Sequence, residues 1–334
     1  DPVASDELAF LARSYARLPE PATPEEAERA TRQRDLEVLD RRLRSLVGER
    51  ADVRAALDRA VEALNGDIEA LDDLVSAQNY RLAYWRTAGQ ELDYRRFFDI
   101  QSLAGLRTED TRVFEAVHAR VLEWVRAGEL DGLRVDHPDG LRRPAEYFGR
   151  LRAAAPDAWI VVEKILMPGE PLRRWPVDGT TGYDALNDVT GVFLDPAAEA
   201  PFTALWTEVT GDARPFHDVA AEAREEILRR VLAADLHRLA NVFVQVCEGR
   251  RRYRDFTRGE LRDALAAVAA AFPVYRTYVA EDGTADDEDR TVVARAIEAA
   301  AARRPGLDPE LLELLRAVLT GEAAGDPERG LRMR

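Results

Sequence analysis

The stretch DGLRVDHPDGL sets Arg134, Asp136 and His137 close together, and a second acid, Glu163, follows the apolar run WIVV one predicted helix and one predicted strand later. Two carboxyl groups held about 5 to 5.5 Å apart suit retaining glycosyl transfer: one attacks an anomeric carbon while the other donates a proton and then removes one. Arg134 stands two residues before Asp136 and so on the same strand face, where its fork of donors can aim that carboxylate. On residue types alone, a satisfied Arg–Asp ion pair and a surface Glu–Lys pair fit these segments slightly better than a site does. The chain has four histidines and none has ligand spacing. His137 therefore reads as a structural or supporting residue, and no metal is called for.

The elements that must position these groups follow from pattern. Gly132 to His137 alternates as a short strand does, then breaks at Pro138-Asp139-Gly140, which is turn chemistry. TRVFEAVHARVLEWVRAG before it and PAEYFGRLRAAAP after it have helical period, and AWIVVEKIL is a second strand. Its apolar run lacks alternation, which predicts burial on both faces and makes Trp159, with Trp85 and Trp175, a packing residue. Helix–strand–helix–strand at this spacing gives a parallel sheet, open or closed, whose sites gather at the C-terminal edge. Asp136 and Glu163 both fall at that edge.

Around this unit the chain is mostly helical. Residues 1–78 are charge-rich and helical in period, with a capping-type Thr23 ahead of Pro24 and a break at Asn65-Gly66. From Tyr80 the texture turns to aromatics and arginines. HDVAAEAREEILRRVLAADLHRLANVFVQVCE predicts one long amphipathic helix, and FPVYRTYV a brief extended piece between later helices. The expected divisions are a helical subdomain, 1–78; a catalytic region, 79–195; and a second helical subdomain, 196–334.

Composition narrows the function classes. With 62 acidic against 47 basic residues the net charge is -15, which argues against a general nucleic-acid binder and fits a neutral or polar ligand. The single cysteine, Cys247, allows no internal disulfide and no cysteine-rich metal site, and its helical neighbours make it a buried small apolar residue rather than a reactive thiol. No run reaches the length of a membrane span and the N-terminus has no signal-peptide pattern, so a cytoplasmic location with no membrane partner is expected. No cofactor is called for.

The wording of these segments resembles the alpha-amylase superfamily of glycoside hydrolases: DGLRVDHPDGL is similar to its second signature region and IVVEKIL to its third. Within that superfamily the resemblance is closer to the maltooligosyltrehalose synthase family, in whose order YRLAYWR, DYRRFFDI, LAGLR, PGEPL, GTTGYD, RRYRDFTRGELRDAL and FPVYRTYV also occur. The resemblance implies that Asp136 is the nucleophile and Glu163 the acid/base, with Arg134 and His137 as supports. It implies a maltooligosaccharide substrate whose reducing-end α-1,4 link becomes an α,α-1,1 (trehalose) link by intramolecular transglycosylation, in trehalose biosynthesis. Such chemistry needs a pocket closed to water. Tyr94, Arg95, Arg96, Phe97, Phe98 and Tyr183 are candidates for its wall, with core packing as the alternative for each. Lys164 is a candidate contact beyond the scissile bond; a surface lysine fits equally.

Two departures matter. Gln101 in FDIQSL stands where the family pattern has asparagine. The first and fourth signature regions, which carry a sugar-binding aspartate–histidine pair and a third catalytic aspartate, have no counterpart here. The expected fold is therefore α/β: an incomplete (β/α)8 TIM barrel, about strands 4 and 5, with large mostly α-helical inserted subdomains. The chain reads as an internal fragment, inactive alone, whose partner is the missing remainder of its own barrel. The alternatives are a related α-glucan hydrolase or glucanotransferase, and a non-catalytic helical interaction module.

Overall fold

The computed structural model describes residues 2–20, 23, 25–78, 80–92, 94, 96–97, 100–280 and 282–325. The chain divides into two compact units, Asp1–Trp85 and Arg86–Arg334.

The first unit is helical: α1 (Pro2–Tyr15), α2 (Glu26–Glu49), α3 (Ala51–Gly66) and α4 (Ile68–Ser76). Apolar positions 39, 43, 46 and 47 make one stripe along α2, and Leu46 is buried there with Leu11 of α1 and Val53 of α3. Tyr15 donates its hydroxyl to Asp40 at 2.7 Å. Thr23 does not cap α2; it donates to the carboxylate of Glu28. The α3–α4 break falls just past Asn65-Gly66, where the Asp67 side chain accepts from the backbone N–H groups of Glu69 and Ala70.

The second unit begins with a short helix, α5 (Ala88–Glu91), and an antiparallel hairpin, β1 (Arg96–Phe97) with β2 (Ile100–Ala104). The predicted helix–strand alternation follows: α6 (Thr111–Arg126), β3 (Gly132–Val135), α7 (Pro144–Ala154) and β4 (Trp159–Val162). A third, very short strand, β5 (Gly179–Thr180), joins them in a parallel sheet of order β3-β4-β5. In the β3–β4 register Arg134 sits beside Val161 and Val135 beside Val162. Gly132 lies against Trp159, where a Cβ would meet the Trp159 carbonyl oxygen at 2.7 Å, so only glycine permits that approach.

One face of this sheet is packed. Ile160 and Val162, with Leu133 and Val135 beside them, lie under Phe114 and Leu122 of α6 and Tyr147, Phe148 and Leu151 of α7; Trp175 completes this core. The opposite face carries Trp159, Arg134 and Asp136. The expectation of burial on both faces is corrected here: β4 alternates, and Trp159 is 64% exposed because its side chain shares the face of Arg134 rather than that of Ile160. Trp85 is exposed as well, whereas Trp175 packs as expected.

The rest of the unit is helical: α8 (Tyr183–Gly191), α9 (Glu199–Thr210), α10 (Phe216–Arg230), α11 (Ala233–Glu248), α12 (Arg258–Ala270), α13 (Asp287–Arg303) and α14 (Pro309–Leu319). The predicted long helix is thus two, α10 and α11, broken at Val231-Leu232. The carbonyl of Val231 is taken by the guanidinium of Arg96 at 3.2 Å, a long-range partner that no local pattern reveals. Small and branched residues of α11 to α14, among them Leu261, Ala264, Ala296, Ala300, Leu311 and Leu315, form the second core of the unit. Cys247 is buried in it, and burial pushes its thiol up to about 11, as expected of a packing cysteine. FPVYRTYV runs between α12 and α13 without strand pairing. Among the described residues no helix is long and apolar enough to cross a membrane.

Candidate active site

The site is built where β3 and β4 end. Strand alternation puts Arg134 and Asp136 on the bare face, and the in-step register puts Glu163 on that same face one strand away. Arg134 spans both acids: its Nη1 lies 2.6 Å from Asp136 Oδ1 and its Nη2 3.6 Å from Glu163 Oε1. A guanidinium set between two carboxylates offsets their repulsion and fixes their separation in one step. Asp136 is open to solvent, with 61% of its side chain exposed, and Glu163 keeps 22%.

The next residue turns the chain. His137 has φ 42° and ψ 55°, the left-handed region that non-glycine residues seldom occupy. The backbone position is held because its N–H donates to Glu163 Oε2 at 3.0 Å. Gly140 gives room for the ring: a Cβ there would meet His137 Nδ1 at 2.6 Å. The imidazole stands edge-on to Phe97 of the hairpin and to Tyr275, ring centres 5.6 Å away in both cases, and its Nε2 is 3.0 Å from the Tyr275 hydroxyl.

No family model matches the chain. Two curated relatives do, each called a putative maltooligosyl trehalose synthase of Mycobacterium tuberculosis, from strains CDC 1551 and H37Rv; both are 48% identical over 164 residues. Among solved structures, the maltooligosyltrehalose synthase from Arthrobacter ramosus superposes with a TM-score of 0.61 at 35% identity, over 75% of this chain and 33% of that one. The hypothetical maltooligosyl trehalose synthase of Sulfolobus tokodaii gives 0.56 at 28% identity, over 78% of this chain and 33% of that one. The chain is homologous to the maltooligosyltrehalose synthases. The matched region is 48% of this chain and 21% of each curated relative.

The residues singled out by the resemblance to maltooligosyltrehalose synthases do not all meet. Arg134, Asp136, His137, Glu163 and Phe97 come together at the strand ends. Arg96 does not line the site. Its buried guanidinium reaches Val231 and Asp235, at 3.2 and 3.3 Å, and ties the hairpin to the α10–α11 break. Lys164 neither lines the site nor lies at the surface, because alternation sends its side chain to the opposite side from Glu163, where it is fully buried. Tyr183 opens α8, just past the C-terminal end of β5 and so at the same sheet edge, and Tyr94 precedes the hairpin; both are exposed. Arg95 and Phe98 lie outside the described residues.

Several residues at this edge escaped the sequence reading: Tyr275 against His137, and behind the site Asp139, Glu170, Arg276 and Tyr278. Tyr278 donates its hydroxyl to Asp139, and burial, then that bond, hold its phenol above the ordinary range. The signal for Asp139 was present in DHPDGL but reads locally as a turn.

Proposed function

We propose that this chain supplies the nucleophile and the acid/base of a maltooligosyltrehalose synthase, an intramolecular transferase of maltooligosaccharides. The observation that carries this reading is the pair Asp136 and Glu163 on one guanidinium, at the ends of adjacent parallel strands and on one face. The bare face of the sheet supports a further part of the proposal: it is the interior side of a (β/α)8 barrel, with α6 and α7 outside, and β3 and β4 are about its fourth and fifth strands.

The chemistry then runs in two displacements. Asp136 attacks C1 of the penultimate glucose while Glu163 gives its proton to the O4 leaving group, breaking the α-1,4 bond and forming a glycosyl ester on Asp136. The freed glucose turns over in place. Glu163, now a carboxylate, takes the proton of its anomeric hydroxyl, and that oxygen attacks the glycosyl ester, forming the α,α-1,1 link and releasing Asp136. No water is consumed, so the pocket must exclude it. Phe97, His137 and Tyr275 form one aromatic side of that pocket; Tyr94 and Tyr183 are proposed to extend it. Residues 1–334 alone are proposed to be inactive, because one sheet edge cannot enclose the turning glucose.

The test is product analysis by proton NMR with maltopentaose. The full-length gene product carrying this sequence should convert the reducing-end anomeric signals to an α,α-1,1 signal, and residues 1–334 alone should not. Free glucose or redistributed chain lengths would replace this reading with a hydrolase or glucanotransferase. Binding of maltopentaose with no turnover would replace it with a non-catalytic module.

A further inference from the structure

Behind the two reacting acids lies a second ionic group that the mechanism does not use. Lys164 Nζ sits 2.9 Å from Asp139 Oδ2 and 2.8 Å from Glu170 Oε1, and the three side chains are 0%, 8% and 5% exposed. Asp139 is on the turn that follows Asp136, Lys164 is the residue after Glu163, and Glu170 is on the loop beyond it. The trio therefore ties the loop after β3 to the loop after β4. A second cross-tie comes from the segment between α12 and α13. Tyr278 donates to Asp139 Oδ1, and Arg276 Nη1 donates to the carbonyls of Asp139 and Leu141 at 3.0 and 2.7 Å. The Arg276 guanidinium lies 4.9 Å from the centre of the Tyr278 ring, as does that of Arg173.

Composition adds an independent observation. Lys164 is the one lysine of the sequence; every other member of its 47 Lys and Arg residues is an arginine. A chain that otherwise meets its need for cations with a planar fork uses a compact ammonium at this position. An ammonium is a compact point donor, and here the single Nζ lies within 2.9 Å of both buried carboxylates. A buried ion trio is close to neutral for stability against an apolar replacement of equal volume, because desolvation offsets attraction, so stability alone does not account for it. What it does supply is placement.

We propose that Lys164 is a positioning residue: held by Asp139 and Glu170, with Tyr278 fixing Asp139, it sets the aim of Asp136 and Glu163 through the loops that carry them. This rests on the reading of those two acids as the reacting pair. Lys164 fixes the backbone next to Glu163; Asp139 fixes the turn whose first N–H, that of His137, holds Glu163 in place.

The experiment uses the full-length gene product with Asp136→Asn, Tyr278→Phe and Lys164→Arg, each assayed for isomerisation of maltopentaose. Active sites are counted by trapping the glycosyl ester with a slow fluorinated glycosyl fluoride. Asp136→Asn tests the underlying reading: if this variant keeps near-normal turnover, Asp136 is excluded as the nucleophile and that reading fails first. With it confirmed, kcat per trapped site should fall roughly tenfold in Tyr278→Phe and roughly a hundredfold in Lys164→Arg, with KM within about twofold. A merely structural role would lower melting temperature and the number of sites but leave kcat per site unchanged, and that result overturns the proposal. Should Lys164→Arg not fold, Tyr278→Phe, which removes one oxygen and keeps the ring, decides alone.

Discussion

Two pairs of carboxylates stand at the same sheet edge, and each straddles the same two strand ends around one cation. The outer pair, Asp136 and Glu163, shares the half-exposed Arg134; the inner pair, Asp139 and Glu170, shares the sealed Lys164. Their members come from the same loops and differ by three and seven residues in position. Exposure separates their work. An open acid can reach a substrate, and its ion pair contributes little to folding. A sealed acid cannot reach anything, and breaking its ion pair leaves a charge in a poor solvent. On the proposed reading, reactivity and rigidity are divided between two similar constellations, one in front of the other.

The comparison can be broken in order of effect. Asp136→Asn in the full-length gene product should cost on the order of 10³-fold or more in isomerisation, read by initial rates, with no change in melting temperature. Lys164→Met should cost about 3–5 kcal/mol in stability by denaturant titration, since it strands two carboxylates. Arg134→Met, which strands the exposed pair, should cost no more than about 1 kcal/mol in the same titration. Equal costs at the two cations would end the distinction.

Between these in size lies a pH effect in the core beneath the site. Burial pushes the Tyr147 phenol from its ordinary 10.0 up to about 12. A folded-state value above the unfolded one means that the native state binds more protons between the two. The contribution is therefore complete below pH 10 and is lost as pH rises toward about 12, by of order 2 kcal/mol. Melting curves across that range should fall steeply for the parent and less steeply for Tyr147→Phe. A slope unchanged by the substitution would exclude Tyr147 as its source.

How much was legible depends on the range of the forces involved. Asp136 and Glu163 could be placed at one edge because strand period and helix–strand alternation are local patterns, and the β3–β4 register carries them through. Trp159 was misread because an apolar run looks the same whether one face or both are covered. The α10–α11 break and the role of Arg96 depend on a contact between residues 96 and 231, invisible to any window. Tyr275 and Tyr278 reach His137 and Asp139 across more than half the second unit. Lys164 was misplaced for a subtler reason: the side of a residue just past a strand depends on whether alternation continues, and here it does.

The missing side chain at Gly132 has a consequence for every group in front of it. If β3 slid along β4 by one position, Leu133 would have to occupy a gap that admits a single hydrogen atom, and each residue downstream would swap sides. The smallest residue of the strand thereby acts as its index mark, rejecting the one misalignment that would bury Asp136 and expose the greasy flank.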